Sequence, residues 1–432
     1  MSLNKGIVVV GAGTGINLAL GVLYAWSIFK ESIQADIVAA APDSFDWNLA
    51  AVNDPYAVAC LVFAFTMILA GRLQDIAGPR VTAACGGVLM SLGFFLVAHS
   101  VDYWIWLIGF GGLVGAGIAF GYAAVTPAAL KWFPPARSGL VTGVVVSGFG
   151  LASAYIAPLG AYLVGHYGLL HTMLLFAVGV LVTVSLLSTL LSVPAAAAHP
   201  ASPGDPGAAA KDGHDAVAGG KEIPLLKKPQ FWVLWLMYFI GAGAGLMVIG
   251  SISGMARLGM GESAFLAVAI LAVGNAAGRI LAGMLSDRFG RGRVLAGVFL
   301  FQAALMFAAV FGIGSGSPLV IVFLATLIGF NYGANLSLFP AIAKDLWGLR
   351  SFGGNYGMLF TAWGVGGFVM SKLSESLKAA SGDYTASFAV AGGLLLVGFT
   401  VALLFQSGKS LSAPRSAKSF AERKAKPADA AA

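Results

Sequence analysis

Twelve apolar runs, each about the length of a bilayer-crossing helix, constrain this chain more than any other feature. They cover residues 6–29, 47–70, 81–98, 104–127, 139–163 and 169–192, then 229–251, 264–285, 294–313, 318–342, 354–376 and 385–406. The hydrocarbon core of a membrane is ~30 Å thick and takes about 20 helical residues. Inside it every backbone N–H and C=O must find a partner, so a span is a helix or part of a closed barrel. Barrel strands alternate apolar and polar side chains, and these runs do not. The expected fold class is therefore an all-α membrane protein. Only 10% of the residues are charged, too few for the surface of a soluble protein. The 59 glycines suit helices that must approach closely without a hydrophobic drive between them. Cys60 and Cys85 fall inside spans and read as small apolar residues, not as a metal site or a disulfide.

Charge decides how the runs are threaded. With a cytoplasmic N-terminus, twenty of the 25 Lys and Arg fall on the cytoplasmic side. Lys30, Arg257, Lys372 and Lys378 fall outside, and Arg279 is embedded. Cytoplasmic loops carry such an excess of cations, which places both termini inside a cell inner (plasma) membrane. The net charge of +7 is then a topology signal and not a nucleic-acid footprint. Residues 195–220 are rich in Ala, Pro, Gly and Asp without apolar periodicity, the composition of a flexible linker. The expected organisation is an N-terminal six-helix bundle over 1–193, a cytoplasmic linker over 194–228, a C-terminal six-helix bundle over 229–407 and a disordered tail over 408–432. Residues 30–46 are expected to form an external loop and partial lid. No cleavable signal peptide is expected, since the first apolar run is too long for one.

An internal repeat supports the six-plus-six division. Gly71-Arg-Leu-Gln-Asp75-Ile-Ala-Gly78-Pro-Arg80 follows the second run, and Gly283-Met-Leu-Ser-Asp287-Arg288-Phe-Gly290-Arg291 follows the eighth. The order glycine, aspartate four residues on, glycine three further, then arginine recurs at the same place in each half. Glycine lets helices approach, aspartate caps or pairs at a helix end, and arginine binds a facing helix end or lipid phosphate.

Arg279 lies inside the eighth run, 264–284 being otherwise apolar or small. A cation at that depth costs roughly 2.5–3.5 kcal/mol on insertion scales. Two readings stand. The arginine snorkels or pairs with a neighbouring helix, or it faces a wet cavity and receives an anion. Asn275 is one helical turn earlier on the same face. A guanidinium can grip a carboxylate through two parallel hydrogen bonds.

Two repeat motifs, six-plus-six spans and a central linker resemble the major facilitator superfamily over essentially the whole chain. Leu130-Lys131-Trp132-Phe133-Pro134-Pro135-Ala136-Arg137, followed by Gly139 and Gly143, is similar to the segment entering the fifth helix of monocarboxylate transporters and of the bacterial oxalate/formate exchangers. Phe330-Asn331-Tyr332-Gly333, Leu338-Phe339-Pro340 and Asn355-Tyr356-Gly357 resemble the exchangers. The resemblance implies two bundles rocking around a midplane cavity, with Arg279 binding the substrate carboxylate. It also marks Gly71, Asp75, Arg80, Gly283, Asp287, Arg291, Lys131 and Arg137 as gating and motif residues. Departures narrow the expectation. The exchangers carry a lysine in the eleventh span, where this chain has Trp363. Mammalian monocarboxylate transporters carry an aspartate where Asn275 stands, and a lysine where Ile28 stands.

Asn275, Tyr332, Asn331, Tyr122 and Trp363 are the candidates to orient a substrate beside Arg279. For each, ordinary helix–helix hydrogen bonding or packing is the competing reading. Tyr24 reads as an interfacial aromatic near the outer end of the first span. None of the 18 Asp and Glu sits centrally in a span, so a proton is expected to travel with the anion, through water or the substrate itself. Gly11-Ala-Gly13-Thr-Gly15 has the third glycine misplaced for a dinucleotide fingerprint. No nucleophile–base set or metal-ligand cluster appears, so neither an enzyme nor a cofactor is expected. The expectation is a monomeric secondary transporter of short-chain monocarboxylates (lactate, pyruvate, acetate), proton-coupled, bathed by membrane lipids. An organic-anion exchanger and a non-transporting anion sensor remain as alternatives.

Overall fold

The computed structural model describes residues 2–39, 44–194, 224–260, 264–312 and 317–407. The expected flexible linker at 195–220 and the basic tail from residue 408 lie outside the described residues. Within them the chain is helical, with no strand. The first half holds α1 (Ser2–Leu20), α2 (Trp26–Ala39), α3 (Asp54–Val97), α4 (Tyr103–Trp106), α5 (Gly115–Leu130), α6 (Ser138–Tyr167) and α7 (Leu169–Leu190). The second holds α8 (Pro229–Met260), α9 (Ala264–Phe289), α10 (Arg291–Gly312), α11 (Pro318–Trp347), α12 (Phe352–Ser381) and α13 (Thr385–Ser407).

Ten segments of the described chain are long and apolar enough to cross a membrane. They account for eleven of the expected spans, because Asp54–Val97 contains two. Its helical geometry breaks at Gly78 (φ 80°, ψ 177°), and Pro79 opens the next helix, a position where proline's missing N–H costs nothing. The remaining span is α12, diluted by Asn355, Thr361, Ser371 and Lys372 but continuous as a helix. Gly290 repeats the positive φ, at 92°, in the second half. Both motif glycines therefore hold a backbone turn that side-chain-bearing residues resist.

The first span differs from its expected bounds. α1 passes through a tighter 3-10 turn, Gly21–Ala25, into α2, which runs on to Ala39. The polar residues after Lys30 end the apolar run, yet Phe29 and Ile33 are buried and keep the helix docked. Residues 30–39 of the expected external loop are thus helical, 40–43 lie outside the described residues, and 44–47 are held by an aromatic cluster. Phe45 and Trp47 pack edge-on to Trp106, and Trp47 Nε1 donates to Val101 O at 2.8 Å.

Within the first half α3 packs on α5 and α7, and α1 on α6. Within the second α9 packs on α11, α10 on α13, and α8 on α12. The two six-helix bundles meet chiefly along two pairs, α3 with α12 and α6 with α9. Arg279 and both repeat motifs lie on these two seams.

Candidate functional site

Small residues bring α9 into close contact with two helices at once. A Cβ on Gly143 of α6 would collide with Arg279 O, and one on Gly278 with Phe330 O of α11. Arg279 thus has no exposed surface. Its Nε donates to Asn275 Oδ1 at 3.0 Å, and Nη1 donates to Val146 O of α6. Nη2 makes no hydrogen bond of normal geometry, and the Tyr24 hydroxyl interacts with the guanidinium. Gly150 makes room for this pair: a Cβ there would stand 3.0 Å from Arg279 Nε and 3.2 Å from Asn275 Cγ. The guanidinium bonds neutral oxygens only, so the charge itself is left without a counter-ion among the described residues.

Between the bundles Tyr24, Phe63, Tyr122, Phe149, Tyr332, Leu336, Phe360 and Trp363 converge on a cavity too tight to admit a water molecule. Ligand pockets usually measure ~300–1,000 Å³, so even a three-carbon acid requires the walls to move. Tyr332 is the hub. Its hydroxyl accepts from Trp363 Nε1 at 2.9 Å and shares a 3.1 Å hydrogen bond with Tyr24 Oη of the other bundle. Tyr122 Oη is buried without a hydrogen bond of normal geometry. Arg279 does not line this space, but its positive field acts on the hydroxyls of Tyr24, Tyr122 and Tyr332.

Of the residues named from sequence, the structure brings Arg279 and Asn275 together, and gathers Tyr332, Trp363 and Tyr122 around the cavity. Asn331 is buried, and its amide donates to Leu327 O of its own helix at 2.9 Å. Tyr24 was expected near the outer end of its span. The helix continues past it to Ala39, and Tyr24 lies on the 3-10 turn where Gly21 lets α6 approach, its ring lining the cavity. Gly150, Phe63, Phe149, Leu336 and Phe360 were not expected at the site.

The repeat motifs close one side of the molecule. Asp75 Oδ1 and Oδ2 accept the backbone N–H groups of Gly353 and Gly354, at 3.1 and 2.9 Å. Asp287 Oδ1 and Oδ2 accept those of Gly139 and Leu140, at 2.9 and 2.8 Å. Each aspartate therefore caps the first turn of a helix in the opposite bundle, where orphan N–H groups and the helix dipole favour an anion. The helices could not meet there with side chains between them. A Cβ on Gly71 would collide with Gly353 O, and one on Gly283 with Gly139 O.

The cations of this side have separate duties. Arg291 pairs with Asp287 at 2.7 Å and Asp345 at 3.1 Å, and donates to Ser138 Oγ at 2.8 Å and to Ser286 Oγ. Arg80 turns away and donates to Leu191 O at 2.6 Å, just past α7. Trp132 Nε1 caps the same helix end through Ser192 O at 2.8 Å. The charge of Lys131 acts on Asp75. Arg137 is exposed and ends the 3-10 turn Pro135–Arg137.

Comparison with known proteins agrees with this architecture. The chain is 28% identical over 358 residues to the MFS-type transporter YhjX of Escherichia coli K12, covering 81% of this chain and 82% of that protein. It is 25% identical over 354 residues to the oxalate:formate antiporter of Oxalobacter formigenes, covering 79% and 77%. It is 27% identical over 417 residues to monocarboxylate transporter 13 of Bos taurus, covering 95% and 91%. Among solved structures, the human organic anion transporter MFSD10 superposes with a TM-score of 0.66 at 17% identity, covering 92% of this chain and 99% of that one. The family description of the Major Facilitator Superfamily matches residues 6–371 and 260–431. With its paired six-helix bundles and repeated motif, the chain belongs to the Major Facilitator Superfamily and is a multi-pass membrane transporter.

Proposed function

We propose that the protein carries short-chain monocarboxylates of the lactate, pyruvate and acetate class by alternating access. The moving bodies are the bundles 1–193 and 229–407, joined by a cytoplasmic linker over 194–228. The observation that carries the reading is Arg279, fully buried, in contact with neutral groups only and with Nη2 lacking a hydrogen bond of normal geometry. A buried cation lacking a counter-ion is costly, and a carboxylate supplies both the charge and the acceptor. One fixed cation behind aromatic walls suits one carboxylate on a small, largely apolar body. Asn275, Tyr332, Tyr122, Asn331 and Trp363, with Tyr24, orient it. A keto or hydroxyl group takes one of their hydrogen bonds.

Binding draws the guanidinium off Val146 O and neutralises it. A substrate that stabilises one arrangement of the bundles more than the other shifts the equilibrium between them. The side closed by Asp75 and Asp287 is the cytoplasmic one, with both termini, by the distribution of Lys and Arg. The proton accompanies the anion through water or on the substrate. Similarity to a monocarboxylate transporter supports the substrate class. Similarity to the oxalate:formate antiporter favours a second reading, anion exchange, against which Trp363 offers no second cation for a dicarboxylate.

The test is uptake of labelled lactate, pyruvate, acetate and oxalate into proteoliposomes at two pH values, with a lumenal pH dye. Uptake into empty vesicles with acidification supports proton-coupled transport. Uptake only against a preloaded anion, without a pH change, supports exchange. Binding without flux supports a sensor.

A further inference from the structure

Phe352, Tyr356, Phe360 and Trp363 follow one another along α12 at spacings of four, four and three residues, which places them on one helical face. All four are buried. This face runs from the gate, where Gly353 and Gly354 bond Asp75, to the cavity walled by Phe360 and Trp363. Phe360 stands between the two. Its ring stacks on Trp363 with centroids 5.0 Å apart, and meets Tyr122 at 5.6 Å, Tyr356 at 5.8 Å and Tyr238 at 6.2 Å.

Beyond Phe360 toward the gate, Tyr238 Oη and Tyr356 Oη lie 3.4 Å apart. That is long for a bond between hydroxyls, whose usual length is ~2.7–2.8 Å. Tyr122 Oη interacts with the Tyr356 hydroxyl but makes no hydrogen bond of normal geometry. Three buried phenol protons thus share one long bond and one contact short of normal hydrogen-bond geometry. The charged group acting on Tyr122 and Tyr238 is the Arg279 guanidinium. Buried donors ordinarily find acceptors. A cluster with donors in surplus, in a positive field, suits an anionic acceptor that comes and goes.

We infer that the Tyr238 and Tyr356 hydroxyls, with Tyr122 shared from the main site, form a second, transient station for the substrate carboxylate, between Arg279 and the Asp75 clamp, with Phe360 as the shutter. The inference rests on the reading of Arg279 as a carboxylate receptor and adds the next step of the route. The anion leaves Arg279 as Phe360 swings, rests on neutral phenol donors, and departs when the Asp75 clamp opens. Neutral donors hold it more weakly than a guanidinium, which favours release.

The test uses the full-length protein and L-lactate. Tyr238→Phe and Tyr356→Phe, singly and together, remove hydroxyls while keeping rings and volume. Equilibrium binding is read by tryptophan quenching in detergent, and flux by efflux of labelled L-lactate from proteoliposomes. The expected result for the double variant is a Kd within twofold of the parent and efflux slowed tenfold or more. Unchanged efflux overturns the station. So does a Kd weakened as much as the flux, which assigns the hydroxyls to the main site or to packing. Slowed lumenal pH change with normal lactate efflux also overturns it, and assigns a water chain. If the parent protein itself shows no quenching by L-lactate while neutral lactamide behaves alike, the carboxylate reading of Arg279 fails first and the station falls with it.

Discussion

Tyr24 and Tyr332 join their hydroxyls at 3.1 Å across the boundary between the two bundles, and both line the cavity there. The bond is one a rocking motion must break or remake. Tyr332 also accepts from Trp363 Nε1, so its loss strands a buried donor, at ~1–3 kcal/mol. A double-mutant cycle of Tyr24→Phe and Tyr332→Phe on L-lactate affinity should give a coupling of about 0.5–1.5 kcal/mol. Tyr332→Phe should be the costlier single change. Strict additivity would show that the two hydroxyls do not act together in the bound state.

Arg279→Gln should abolish uptake while the protein still reaches the membrane. Removing one member of a buried charge pair costs ~2–5 kcal/mol, which is roughly 30-fold to several thousandfold in affinity. Arg279→Lys should fail to restore it, because an ammonium cannot reproduce the fork that reaches Asn275 and Val146 together. Labelled lactate uptake, normalised to protein in the membrane, is the measurement. Wild-type flux in either variant removes Arg279 from the mechanism.

Trp363→Lys introduces a cation beside the cavity and removes the donor to Tyr332. Monocarboxylate uptake should fall, and competition by oxalate or another short dicarboxylate should strengthen by about tenfold, the worth of ~1.4 kcal/mol. An unchanged ranking of acids places Trp363 in packing alone.

The architecture was legible because a bilayer leaves the backbone few choices. Apolar length gave the spans, and the repeat gave their pairing. Arg279 and Asn275 were legible for a related reason, since polar groups at that depth need a partner. The gate aspartates were legible as helix-end groups, but not which helix end each would cap in the opposite bundle. The place of Tyr24 in the cavity wall was not legible, because Phe29 and Ile33 carry the helix past the polar residues that end the apolar run. Phe63, Phe149 and Phe360 carried no signal at all. Aromatic rings are common in every span, and only tertiary approach through Gly143, Gly150 and Gly278 decides which of them meet. Asn331 shows the converse. Its polarity marked it, yet its amide satisfies a carbonyl of its own helix.

Asp75 and Asp287 cap equivalent helix ends, but the two clamps are not equally strong. Asp287 also holds Arg291, which reaches Asp345, Ser138 and Ser286. In the first half Pro79 follows the motif glycine where Arg291 does in the second, and Arg80 bonds Leu191 O instead. The residue before Asp75 is Gln74, buried with both amide atoms unpartnered, where Ser286 precedes Asp287. Asp75→Asn should therefore cost about 1–3 kcal/mol, the price of one mismatched buried donor. Asp287→Asn also strips Arg291 of one of its two carboxylates, leaving Asp345, and should cost about 1.5–3 kcal/mol more, the worth of a hydrogen bond to a charged group. With Cys60 and Cys85 replaced, a Gln74→Cys thiol reports opening of this side by its alkylation rate in membranes. The rate should rise about tenfold with Asp75→Asn and at least tenfold further with Asp287→Asn, on the scale of ~1.4 kcal/mol per decade. Equal acceleration by the two changes, or a larger one from Asp75→Asn, contradicts the unequal clamps and puts the controlling contact on the α3–α12 seam.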